Sequence, residues 1–190
     1  LMQVTGSQDL KFDQAKLVSS RNFVNKIRNA ARFVEMNLDG RTEHEIDPNC
    51  CVAVDKWIFT RLYEVIDSIN LAFENFEFGE ITRLLYSFVW NEFCDWYIEF
   101  SKPRLNCPKD ATSNQLKDRL SCQNNLLFIL EQILKLLQPI MPFTTEDIYS
   151  RMYSHDKDML LSQPWPDLEE LKKFIDKNAK HSFEMLVASI

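Results

Sequence analysis

Five side chains near the start of the chain could hold a nucleic acid. Arg21, Asn25, Arg28, Asn29 and Arg32 recur at helical steps. At about 100° per residue, Arg21, Asn25, Arg28 and Arg32 fall within about 60° of one another on one helix face. Guanidinium groups neutralise phosphates, and an asparagine amide offers both a donor and an acceptor to a base edge. Phe33 and Arg32 lie at the same end and supply planes on which an unstacked base could lie. Residues 14–34 hold five bases and no acid, whereas residues 35–101 hold fourteen acids against four bases. The net charge of −6 therefore conceals one basic helix on an acidic body. Taken from pattern alone, the same face also fits a solvated helix surface or a face docked on another domain.

Other constellations are weaker. Asp95 and Glu99 are four apart and would share a helix face, as acid–base or metal-binding carboxylates do. The plainer reading is a polar seam with Asn91 and Lys102, in which Glu99 pairs with Lys102. The five cysteines show no CxxC spacing, and His44, His155 and His181 are scattered. Neither a zinc site nor a disulfide framework is expected, and the thiols fit a reducing, cytoplasmic compartment. GxSxG and HExxH do not occur. Three glycines this far apart cannot build a phosphate-cradling loop. No catalytic residue, metal or cofactor is expected within these 190 residues.

Helices must position the basic face. Few glycines, 45% hydrophobic residues and no strand pattern point to an all-α bundle of five to six helices. The first spans about residues 13–38 and buries Phe23, Ile27, Ala30, Ala31, Val34 and Leu38. The second spans about 52–76, on Val54, Ile58, Leu62, Val65, Ile69, Phe73 and Phe76. Gly79 separates it from a third, about 80–101, which is apolar nearly all round and ends at Pro103. Trp90, Phe93 and Trp96 should be among the most buried residues. Thr112 and Gln115 form a capping box for a fourth helix, carrying Leu116, Leu120, Leu127, Leu130, Leu134 and Leu137. A short fifth runs from Glu146 to Met152. Asp167 and Glu170 open a last helix running to Ile190. No apolar run is long enough for a membrane span, and residues 1–16 contain no signal-peptide core. The chain opens on Leu1, which reads as a domain of a longer protein.

A run of motifs gives the basic helix a context. The segment from Arg21 to Val34, RNFVNKIRNAARFV, resembles the signature that opens the anticodon-binding domain of the valyl-tRNA synthetase family. Asp55-Lys56-Trp57-Ile58 with Arg61-Leu62 is similar to that family's second-helix DKWIxxRL. Phe88 to Glu99 with Lys102 resembles its third-helix FxWxEFCDWYIExxK. Gln138 to Glu146 is similar to its HPxMPFxTEE turn, with Gln138 where the family usually has His. Ser162 to Pro166 resembles its SxWP stretch. Isoleucyl-type relatives usually lack both the Asn25-Lys26 pair and the FCDWYIE run.

The resemblance implies a helical bundle over residues 1–166 that reads the anticodon stem-loop of valine tRNA. Residues 167–190 would form a helix leading toward a C-terminal arm. Arg21, Asn25, Arg28, Asn29 and Arg32 would contact tRNA, with Lys26, Phe33 and Lys56 behind them. The parent enzyme would be a monomer that joins valine to tRNA using ATP and Mg²⁺. Its catalytic, editing and arm domains would lie outside this chain, leaving this part inactive alone. The alternative is a structural bundle of an isoleucyl- or leucyl-type synthetase with little direct base readout.

Overall fold

A computed structural model describes residues 14–108, 110–153 and 158–189. Helix α1 spans Gln14–Asn37 and α2 Ala53–Glu74. Helix α3, Phe78–Ser87, continues through a π-helical segment, Phe88–Tyr97, into α4, Ile98–Leu105. Then come α5 at Ser113–Leu137, α6 at Pro142–Met152, α7 at Leu168–Lys172 and α8 at Lys177–Ala188. Single 3₁₀ turns sit at Pro48–Cys50 and Leu160–Ser162. No strand occurs among the described residues. The fold is the all-α bundle expected from composition and periodicity.

Helix α5 forms the middle of the bundle. From Ser121 to Leu137 it is buried apart from Asn124 and Lys135, which its leucine-rich second half requires. It packs on α1, α2, α4 and α6. The first helix buries the face its spacing predicts: Ile27, Ala30, Ala31, Val34 and Leu38 are in the core, with Phe23 packed at its edge. After Pro166, α7 and α8 pack on α2: Phe59 stacks on Phe174 at 4.4 Å and Trp57 on Phe183 at 4.0 Å.

Helix ends follow local chemistry, in some places against expectation. The Thr112–Gln115 capping box is present, with both reciprocal bonds made. Helix α6 starts at Pro142, four residues before Glu146, because proline suits the first helical turn. Gly79 does not separate α2 from α3; it lies within α3. The break falls at Phe76, whose φ is +58°. Pro103 does not end its helix either: its missing N–H falls in the last turn, and α4 runs on to Leu105. The last helix is two helices, since Asp167 caps α7 and Asp176 opens α8 by accepting from the N–H groups of Asn178 and Ala179. The expected starts and ends at Asp13 and Ile190 lie outside the described residues.

Burial departs from the apolar pattern at a few positions. Phe93 is buried, but Trp90 and Trp96 are only half-buried. Trp90 stacks on Tyr86, and Trp96 stacks on Phe100 at the edge of α8. Leu116 and Leu120 are exposed, because the first two turns of α5 stand clear of the core.

Phe76 is 77% exposed and occupies the left-handed position where helices usually place glycine. Its N–H bonds to Phe73 O and the next N–H, of Glu77, to Ala72 O, which completes a Schellman motif. A bulky residue is strained at this φ. Phe76→Gly should therefore raise stability by about 1 kcal/mol in urea melts. A loss of stability would show that the Phe76–Phe78 ring contact outweighs the strain.

Two polar networks hold the elements in register. Asp55, 0% exposed, accepts from the Tyr97 hydroxyl at 2.8 Å, Arg104 Nη1 at 2.8 Å and the Val52 N–H at 3.0 Å. Arg104 also donates to Asp118. Burial pushes the Tyr97 hydroxyl well above its usual range, so it stays a donor. The second network pins the long connection after α1. His44 Nε2 lies 2.7 Å from Glu131, and Lys135 lies 3.0 Å from the same carboxylate. Gln123 donates to Asn37 O, and Asn124 donates to Glu45 O.

Candidate nucleic-acid interface

The buried stripe of α1 dictates what its opposite face presents. Ile27, Ala30, Ala31 and Val34 face the core, and Arg21, Asn25, Arg28, Asn29 and Arg32 are all exposed. These five sequence-selected residues are brought together on one helix surface. Among the described residues, Arg61, Arg83, Arg104, Arg119 and Arg151 each hold a carboxylate in an ion pair. Arg21, Arg28 and Arg32 have no such partner among the described residues. Three exposed guanidinium groups with no carboxylate partner among the described residues concentrate positive charge on one face of an acidic chain.

The other sequence candidates stand apart from that face. Lys26 turns to the flank, where it donates to Asp95 and sits 5.0 Å from the Trp90 ring centroid. The bond to Asp95 raises its pKa. On the same flank Phe23 stacks on Tyr86 at 5.1 Å, so this side of α1 is fastened to α3 and the π segment. Phe33 is half-buried against the core. Lys56 lies on α2, with Nζ 3.5 Å from Asp176 at the start of α8, and is not brought to the α1 face.

The opposite flank of α1 forms a groove with α6. Its volume is about 460 Å³, and its polar lining comprises Arg28, Asn29, Arg32, Glu35, Asp147 and Arg151. Arg151 was not singled out from the sequence. It belongs to the half of the chain where acids and bases balance, and only the packing of α6 on α1 places it opposite Arg28 and Arg32. Its guanidinium is held by Asp147 at 3.1 Å.

The carboxylates of the third helix do not converge. Glu92 accepts from Arg61, Asp95 from Lys26 and Glu99 from Lys102. The seam is one of ion pairs, as its plainer reading had it. The cysteines are all free. Burial pushes the Cys51 and Cys94 thiols up to about 12, which leaves them un-ionised and poor nucleophiles. Among the described residues no three metal-ligating side chains come together, and no helix is long and apolar enough to cross a membrane.

Residues 55–190 match the family model for the anticodon-binding domain of tRNA ligase. The chain is 42% identical over 185 residues to a valine–tRNA ligase of Lactobacillus johnsonii, covering 96% of this chain and 20% of that protein. It is 42% identical over 190 residues to the valine–tRNA ligase of Listeria monocytogenes, covering 98% and 20%. Against the valine–tRNA ligase of Bacillus subtilis it is 40% identical over 190 residues, covering 98% and 21%. The chain thus spans about a fifth of the length of these relatives. Its helical bundle, its matched residues and its valine-ligase relatives agree: the chain belongs to the family of anticodon-binding domains of tRNA ligases.

Proposed function

We propose that the exposed face of α1 binds the anticodon stem-loop of valine tRNA, as the recognition module of a valine–tRNA ligase. The observation that carries this reading is the trio of exposed arginines, Arg21, Arg28 and Arg32, which hold no carboxylate among the described residues and alternate with Asn25 and Asn29. The arginines neutralise loop phosphates, and the asparagines read the edges of unstacked bases. Phe33 lends a partly exposed ring beside them. Lys26 acts by fastening α1 to the π segment, and Lys56 by fastening α8 to α2. In the parent enzyme, a cytoplasmic monomer, valine is joined to tRNA using ATP and Mg²⁺. The three scattered glycines and dispersed carboxylates here do not suit either group, so they belong to other domains of the parent. Residues 1–166 serve recognition, and residues 167–190 lead toward a further arm.

The test is a titration of labelled anticodon stem-loop against the intact ligase at several salt concentrations. Replacing both Arg21 and Arg32 with Ala should weaken binding and lower the log–log salt slope by about 1.4, for two single-strand phosphate contacts. Unchanged affinity and slope would reassign the basic face to docking another domain of the enzyme.

A further inference from the structure

We propose that an aromatic patch with an acidic rim, at the junction of α2 and α3, docks a lysine- or arginine-bearing apolar segment from another domain of the parent ligase. This rests on the reading of the chain as one domain of a longer ligase, and does not depend on α1 being the RNA-binding face. The patch is built around Phe76. Its ring is 77% exposed and its backbone is held at φ +58°, where glycine would be free of strain. Fold stability alone does not explain a phenyl ring kept in water at a strained position.

Four rings run together there. Trp165 meets Phe73 with centroids 5.7 Å apart, Phe73 meets Phe78 at 6.4 Å, and Phe78 meets Phe76 at 6.4 Å, each pair edge to face. The Trp165 indole N–H donates to the Asn70 side chain at 2.9 Å, which fixes the far end of the row. Phe76, Phe78 and Trp165 are exposed, and Phe73 is half-buried between them. On α2, Asp67, Leu71 and Glu74 fall within about 60° of one another, and Asn70 lies about 40° beyond Glu74. Leu71 and the two carboxylates, all exposed, therefore adjoin the tryptophan end of the row.

The charge around the rings selects the occupant. Residues 62–82 hold five acids and residues 158–170 four, and neither stretch contains a lysine or arginine. Asp67, Glu74 and Glu77 hold no cation among the described residues. Such a surface repels RNA phosphate and anionic lipid. It attracts a cationic side chain, which gains further from lying over an aromatic face. The nearest source of one is the same polypeptide. The chain covers only about a fifth of the valine–tRNA ligases it matches, and a tethered domain meets the patch at an effective concentration in the millimolar range. Interfaces between domains of one chain are modest in area and mixed in polarity, as apolar side chains inside a carboxylate rim would make.

The experiment uses the intact ligase carrying the photo-cross-linking substitution Phe76→p-benzoylphenylalanine, irradiated and then digested for peptide mass spectrometry. The ring should join a peptide of the same polypeptide that lies outside these 190 residues and carries lysine or arginine beside apolar residues. Adding Leu71→Ser, or Glu74→Gln together with Glu77→Gln, should lower the yield of that product by roughly three- to tenfold. Raising the salt concentration should lower it too. Anticodon stem-loop affinity should be unchanged by Leu71→Ser and by the glutamine pair. Arg21→Ala with Arg32→Ala should leave the cross-link in place, whatever it does to RNA binding, so the two readings fail separately. Products confined to these 190 residues, or no product, would overturn the docking. Products formed only between differently isotope-labelled copies of the ligase would show self-association and overturn it as well. So would a yield that neither set of variants changes. A fall in stem-loop affinity with the cross-link intact would assign the rings to RNA, and the docking would fall.

Discussion

Asp55→Ala should destabilise the domain by about 3–5 kcal/mol. Ordinary domains hold only about 5–15 kcal/mol in total, so the variant should be partly unfolded at moderate temperature. Asp55 is fully buried and receives three donors: the Tyr97 hydroxyl, the Arg104 guanidinium and its own helix's leading N–H at Val52. Alanine removes all three acceptor contacts. It leaves a largely buried arginine with only Asp118 to balance it, and a buried hydroxyl with no acceptor. The loss should be strongly non-additive with Arg104→Met, since removing both charges costs less than the sum of the single losses. Urea melts of the two single variants and the double variant, followed by far-UV circular dichroism, measure this. A loss below about 1 kcal/mol for Asp55→Ala would show that the pocket rewets without harm.

Acid should unfold the domain in a way that depends on Glu131. Burial alone would push this carboxyl up, but His44 and Lys135 outweigh burial and hold it at about 2, against an ordinary value of 4.5. A depressed folded pKa means that the unfolded chain binds the proton first. The stabilisation is thus complete above about pH 4.5 and is lost as pH falls toward 2. The shift corresponds to about 3 kcal/mol. Asp39, Asp47 and Asp176 are also lowered by their hydrogen bonds, so the informative quantity is a difference. Glu131→Gln should be less stable than wild type near neutrality, and the gap should close as pH approaches 2. A gap that stays constant with pH would show that the His44 connection is held by the glutamine and asparagine bonds alone.

Repeating apolar spacing was enough to place α1 and α2, whose single stripes only one face can bury, and α5, whose leucine-rich second half is surrounded by core. It misled where a helix meets something other than core. Trp90 looks buried on a helical projection, yet its ring forms a platform under the Lys26 ammonium. Gly79 looks like a breaker, but the turn uses a phenylalanine at positive φ one residue before the loop ends. The break between α7 and α8 could not be read from Asp167 because a second cap, Asp176, lies nine residues on, and both are local signals of equal strength. The arginine and asparagine face of α1 was legible because it lies on one helix. Arg151 was not, since its place opposite Arg28 and Arg32 depends on how α6 lies beside α1, and that is decided by contacts far apart in sequence.

The ten-residue π stretch sets the angular phase between the two ends of one long rod. Each residue in an α-helix advances the side-chain direction by about 100°, and the wider i→i+5 coil advances it by less. Upstream of this stretch, Tyr86 meets α1, and within it Asp95 meets Lys26. Downstream, Arg104 must point at Asp55 on a different neighbour. The two alignments are held together by the slower winding between them. Deleting one residue between Phe88 and Tyr97 would rotate Arg104 by about a quarter turn relative to Tyr86. Residue count inside this segment is therefore as constrained as residue identity.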